Sequence, residues 1–143
     1  MIYNDELFDL EDKVNQLAKD VLNSQTVIDY LHDYQAIDKS SEVSDLVSDF
    51  LTKKEAFEKI EPYGKYAPDF KETRRALRKS KRALDTNELV ATFKISETTV
   101  QNVLDYISLD IAQTISDTIK VDAGNPFFEF AKKGCGGTCH VNK

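Results

Sequence analysis

The residues best suited to chemistry lie at the end of the chain, in Gly134-Cys135-Gly136-Gly137-Thr138-Cys139-His140. Thiolates are soft ligands for iron–sulfur clusters and for zinc. Glycine lets both sulfurs turn toward one centre and lets backbone amides approach it. Cys135 and Cys139 are nonetheless only half of a four-thiolate site. His140 is a third candidate ligand, but a His beside a Cys does not easily reach the same metal. Two readings stay open on spacing alone. One is a metal site completed by another chain, holding an iron–sulfur cluster or zinc. The other is a flexible tail with two incidental thiols. A disulfide between them would close a very short loop and staple nothing to the domain. The other histidine, His32, falls in a helical run and reads as a surface or core-edge residue rather than a base. The chain has no nucleophile elbow, no phosphate-cradling glycine loop and no HExxH. An enzyme is not expected.

The second pointed feature is charge. Of the 143 residues, 19 are Lys or Arg and 25 are Asp or Glu, a formal net charge of −6. The charge is segregated: residues 1–50 hold three Lys and twelve acids, and residues 51–82 hold eleven Lys or Arg and five acids. Residues 83–143 hold five Lys and eight acids. At helical spacing Lys71, Arg74, Arg75, Arg78 and Arg82 share one broad face. That face is either a solvated surface paired with the acidic first half, within the chain or across a dimer, or a contact for a phosphate backbone or an acidic protein. Phosphate binding takes several Lys or Arg on one face, because each contact releases condensed counterions. The net acidity argues against strong nonspecific RNA binding, and no aromatic-interleaved basic sheet motif is present. Direct nucleic-acid contact is therefore left open.

Composition points to helices that must position these groups. Hydrophobic residues are 41% and charged residues 31%, which suits a globular chain. Five Gly and three Pro are too few for the turns of an all-β domain. No run of 18 apolar residues offers a membrane span. The acidic start, Met1-Ile2-Tyr3-Asn4-Asp5-Glu6, is not a signal-peptide pattern. A cytoplasmic chain with its cysteines as thiols is expected.

The expected fold is all-α, about five helices in a single domain over residues 1–130, followed by a flexible Cys/Gly tail over 131–143. Leu7, Leu10, Val14, Leu17, Ala18, Val21 and Leu22 mark one apolar helix face, with Asn4 as its cap. A second helix from about Ser24 carries Val27, Ile28, Leu31 and Ile37. A third carries Val43, Leu46, Val47, Phe50, Leu51, Phe57 and Ile60 and stops at Glu61-Pro62. A connector around Gly64 follows, and Pro68 suits the first turn of a fourth helix running to about Leu84. Asp85 and Glu88 have capping-box spacing, with Leu84 and Leu89 as a staple. A helix of roughly thirty residues is expected next, with an apolar stripe from Leu89 to Ile119 and a bend near Ser96-Glu97-Thr98-Thr99. Such a helix spans about 45 Å, against about 30 Å for a compact domain of this size. Either the molecule is an elongated monomer, or the stripe, with Ile107 and Ile111, forms an interface in a homo- or hetero-oligomer.

Gly64-Lys65-Tyr66-Ala67-Pro68-Asp69-Phe70, then Val121-Asp122-Ala123-Gly124-Asn125-Pro126-Phe127-Phe128, then the Cys/Gly tail, resemble the YlbF branch of the YlbF/YmcA family. The resemblance covers nearly the whole chain, including the order of helices. It implies a small all-α regulatory protein of Gram-positive bacteria. It further implies YmcA-like and YaaT-like partners and a complex associated with ribonuclease Y. That complex promotes maturation of particular operon messages and influences competence, sporulation and biofilm formation. The resemblance also implies iron–sulfur clusters in the complex, with tail cysteines as ligands. Here those are Cys135 and Cys139 alone, where the richest tails of the branch carry more. A metal- or redox-sensing module and a purely structural helical dimer are the alternative readings.

Overall fold

The protein was analysed as a computed structural model, which describes residues 5–126. Asn4, Phe127, Phe128, Cys135, Cys139 and His140 lie outside the described residues. Among the described residues five α-helices occur: α1 (Asp5–Leu22), α2 (Gln25–Asp38), α3 (Ser41–Ile60), α4 (Phe70–Asp85) and α5 (Glu88–Ile115). A 3-10 turn, Glu61–Tyr66, joins α3 to α4. The described residues contain no strand, so the all-α expectation holds. None of these helices is long and apolar enough to cross a membrane.

Short polar caps set the helix boundaries. The Ser24 hydroxyl accepts from Val27 N at 3.4 Å to open α2, and donates to Val21 O at 2.7 Å to close α1. The Ser40 hydroxyl accepts from Val43 N at 3.3 Å to open α3. Each satisfies a backbone group that the helix end would otherwise leave unpaired.

Two sequence expectations need correction at α4 and α5. Asp69 adopts the left-handed conformation (φ 58°, ψ 13°), which cannot continue a helix backward. Helix α4 therefore starts at Phe70, and Pro68 sits in the preceding turn rather than in the first helical turn. Asp85 is the last residue of α4, not the cap of α5. Its carboxylate accepts from Lys94 at 2.6 Å and from Lys81 at 3.0 Å. Hydrogen bonds from Lys94 and then Lys81 hold its pKa below the ordinary carboxylate value. Asn87 caps α5 instead, its Oδ1 accepting from Leu89 N at 3.1 Å and Val90 N at 3.4 Å.

The bend expected near Ser96 does not interrupt α5. The Thr98 and Thr99 hydroxyls donate back to the carbonyls of Lys94 and Ile95, and the helix runs unbroken for 28 residues. It ends at Ile115, short of the expected Ile119. There Ser116 Oγ accepts from Thr118 N at 3.3 Å, a local turn that competes with further helix.

Contacts divide the chain into two compact units, Met1–Val100 and Gln101–Lys143. In the first, α3 and α4 form an antiparallel hairpin. Phe57 late in α3 meets Phe70 at the start of α4, with ring centroids 5.6 Å apart. Lys81 late in α4 lies 5.9 Å over the ring of Phe50. The Asn87 amide beyond α4 donates to Glu42 at the start of α3 at 3.1 Å. Val43, Val90 and the hydroxyl-bearing Ser80 and Ser96 are buried here. Tyr30 and Tyr34 of α2 pack on Phe93 of α5 at 5.5 and 6.1 Å. In the second unit Ala112 and Asp105 are buried.

Gly64 holds the turn between α3 and α4 at φ 54°, ψ −142°, a backbone region that side chains make costly. Open space surrounds it, so the cost of a Cβ there is conformational alone. Gly64→Ala should lower unfolding free energy by about 1–3 kcal/mol, measured by denaturant titration. Unchanged stability would show that the turn relaxes freely.

Candidate interaction surfaces

The sequence-derived arginines do converge. Arg74, Arg75, Arg78 and Arg82 are all exposed on α4, and Lys71 and Lys79 flank them. The opposite side of α4, with Phe70, Leu77 and Ser80, packs toward α3. Among the described residues none of these four guanidinium groups takes part in an ion pair. The ion pairs present use Lys13, Lys53, Lys54, Lys81 and Lys94, with His32 against Asp33. Pairing of the arginines with the acidic first half within one chain is thus not found.

Ile107 and Ile111 lie on the part of α5 that belongs to Gln101–Lys143. With Leu104 and Ile115 they recur at three- and four-residue steps on one face. Ile107 is half-buried, Ile111 is 53% exposed and Ile115 72% exposed. The arginines belong to the first unit and the isoleucines to the second.

A third surface is the apolar face of α1. Helix α1 buries none of its residues. Its apolar face leaves Leu10 and Val14 each 57% exposed, and Leu17 is exposed as well. The spacing had marked this face as apolar, but apolar spacing alone cannot say whether the cover comes from the same chain. Tyr63 and Tyr66 were also missed as surface features; they stand exposed in the turn leading into α4, Tyr66 at 86%. His32 is a surface residue as expected, its ring largely exposed and 3.1 Å from the Asp33 carboxylate.

The segment Val121-Asp122-Ala123-Gly124-Asn125-Pro126 has a structural anchor that no spacing revealed. Asp105 on α5 is buried, and its carboxylate accepts from Gly124 N at 2.9 Å, Asn125 N at 3.0 Å and Gln101 Nε2 at 2.9 Å. Asn125 Nδ2 donates to Asn102 Oδ1 at 2.6 Å. Burial acts to raise the Asp105 pKa, and the bonds from Asn125, Gly124 and Gln101 together outweigh it, so the carboxyl stays below its ordinary value. A Cβ at Gly124 would lie 2.3 Å from Gln101 Nε2, so the amide end of Gln101, which donates to Asp105, would have to move aside.

Because the folded pKa of Asp105 lies below an unfolded value of about 3.9, its contribution is complete above that pH. It is lost as the pH falls through the lower folded value. Asp105→Asn should leave at least one of the Gly124 and Asn125 amides without its acceptor. Faster hydrogen exchange at those amides at neutral pH is expected by NMR; unchanged protection would contradict the anchor.

Comparison with known proteins agrees with this architecture. The family described as "Control of competence regulator ComK, YlbF/YmcA" matches residues 10–116. The regulatory protein YlbF of Bacillus subtilis (strain 168) is 37% identical over 130 residues, covering 91% of this chain and 87% of that protein. A chain in the crystal structure of Bacillus subtilis RicA in complex with RicF superposes with a TM-score of 0.71 at 34% identity. The match covers 79% of this chain and 98% of that one. By the family match over residues 10–116 and the 37% identity over most of the chain, the protein belongs to the YlbF/YmcA family.

Proposed function

We propose that the protein is a non-enzymatic regulatory adaptor that acts through protein contacts. Its setting is a cytoplasmic complex with YmcA-like and YaaT-like proteins that modulates ribonuclease Y-dependent mRNA processing, and through it competence, sporulation and biofilm formation. The observation that carries the reading is the uncovered apolar face of α1, matched by that of α5 around Ile111. Buried, each such Leu or Ile contributes about 1.5–3 kcal/mol, so a protein presenting several of them gains most by assembling. The RicA–RicF crystal structure supports assembly with partner proteins.

The test is co-purification with a YmcA-like partner and ribonuclease Y. Val14→Asp and Ile111→Asp each place a carboxylate where an apolar contact is proposed. Each should weaken assembly by about tenfold or more, on the scale of one lost apolar contact, with helical content retained. Assembly undiminished in both variants would reject the adaptor surfaces. A partner retained without ribonuclease Y would favour the structural-dimer reading.

The metal-sensing reading rests on the donor set of the tail. Cys135 and Cys139 supply two thiolates where a standard cluster takes four. This chain alone does not fit a cluster, and a shared one would draw its other ligands from a second copy or a partner; zinc accepts the same thiolates. Anaerobic reconstitution with iron and sulfide, with and without partners, should give visible absorbance and bound iron that depend on both cysteines and on assembly. Full iron content in a Cys135→Ser, Cys139→Ser variant would exclude the tail.

A further inference from the structure

We infer that the exposed face of α4, with the tyrosines of the turn before it, binds single-stranded nucleic acid through its phosphate backbone and stacked bases. Lys71, Arg74, Arg75, Arg78 and Arg82 follow one another along one side of the helix over about 17 Å. All are exposed, and the arginines form no ion pair among the described residues. In a chain of net charge −6 this row of cations stands out, with twelve of the 25 acids in the first fifty residues and only five among residues 51–82. Arginine suits phosphate because its planar fork donates two parallel hydrogen bonds.

The choice of nucleic acid over an acidic protein rests on what accompanies the charge. Protein interfaces concentrate their energy in a desolvated apolar centre. The cationic face of α4 has none, since its apolar residues turn toward α3. What it has is a pair of exposed aromatic rings at its leading end. Tyr66 is 86% exposed and Tyr63 69% exposed, and Lys65 lies 5.3 Å over the Tyr66 ring. Gly64 and Asp69, both at positive φ, fix the backbone on either side of Tyr66. A cationic track beside exposed aromatic rings is the pairing by which single strands are held without sequence preference. Phosphates and base faces are common to RNA and DNA, so strands of equal length should bind alike. The inference does not depend on the adaptor reading, because the apolar faces of α1 and α5 take no part in it.

The test is fluorescence anisotropy of the full chain with labelled oligouridine, oligothymidine and an RNA duplex, across roughly 50–250 mM salt. Both single strands should bind better than the duplex, with affinity falling as salt rises. Arg74→Gln with Arg78→Gln should make the salt slope shallower by about 1.4, two phosphates at about 0.7 each. Tyr66→Ala should weaken single-strand binding by about tenfold and leave the slope unchanged. Circular dichroism and partner assembly should be unaltered in all variants, which separates this result from any failure of the adaptor surfaces. No binding at the lowest salt overturns the inference, as does binding undiminished in the arginine variant. Duplex bound as well as single strand, with Tyr66→Ala silent, overturns it too. Capture by immobilised polyglutamate as strong as by RNA, with Tyr66→Ala silent, would assign the face to an acidic protein instead.

Discussion

An apolar helix face in water is stable only where something covers it, because the favourable free energy of an amphipathic helix comes mainly from burying that face. Among the described residues Val43, Val90 and Ala112 are the buried apolar side chains, and no large side chain is fully enclosed. Yet α1, α2, α3 and α5 all carry exposed Leu, Ile or Val. The helices are correctly patterned, and the cover for their patterns is incomplete among the described residues. In the proposed adaptor, the surface that would be core in a self-sufficient domain is what a partner would cover.

Polar contacts do much of the positioning that a larger core would otherwise do. In Met1–Val100, Asn87 caps α5 and reaches Glu42, while Asp85 joins Lys81 to Lys94. In Gln101–Lys143, Asp105 gathers Gly124, Asn125 and Gln101 around one carboxylate. Exposed ion pairs contribute only about 0–1 kcal/mol each, so the pairs of Asp85 with Lys81 and Lys94 specify geometry more than they stabilise it. Their placement leaves the faces of α1 and α5 clear, and leaves the arginines of α4 unpaired. Charge and apolarity are thus presented on different surfaces, suited to different occupants.

The helices were legible in the sequence because their signal is local. Three- and four-residue spacing located all five, and Ser24 and Pro62 marked real boundaries. Errors arose where two local signals competed. Asp85 and Asn87 are both good caps, and two lysines, one of them nine residues away, draw Asp85 out of the role. Ile119 continues the apolar spacing, yet Ser116 and Thr118 turn the chain before it. The anchor at Asp105 was illegible because it joins residues 19 and 20 positions apart. Tyr66 was illegible as a surface feature because exposure is a property of the folded chain, and spacing carries no record of it. The arginine face was legible because both its charge and its helical register are local.

The most direct measurement of the central claim is thermal unfolding of the full chain, alone and with its partner, over a wide range of protein concentration. A fold completed by association must become more stable as concentration rises, since assembly draws the equilibrium toward the folded state. The account predicts that Tm climbs by several degrees over about a hundredfold increase in concentration, and climbs further when the partner is added. A steep transition at one temperature, indifferent to both concentration and partner, would show that the chain covers its own apolar faces and would contradict the account.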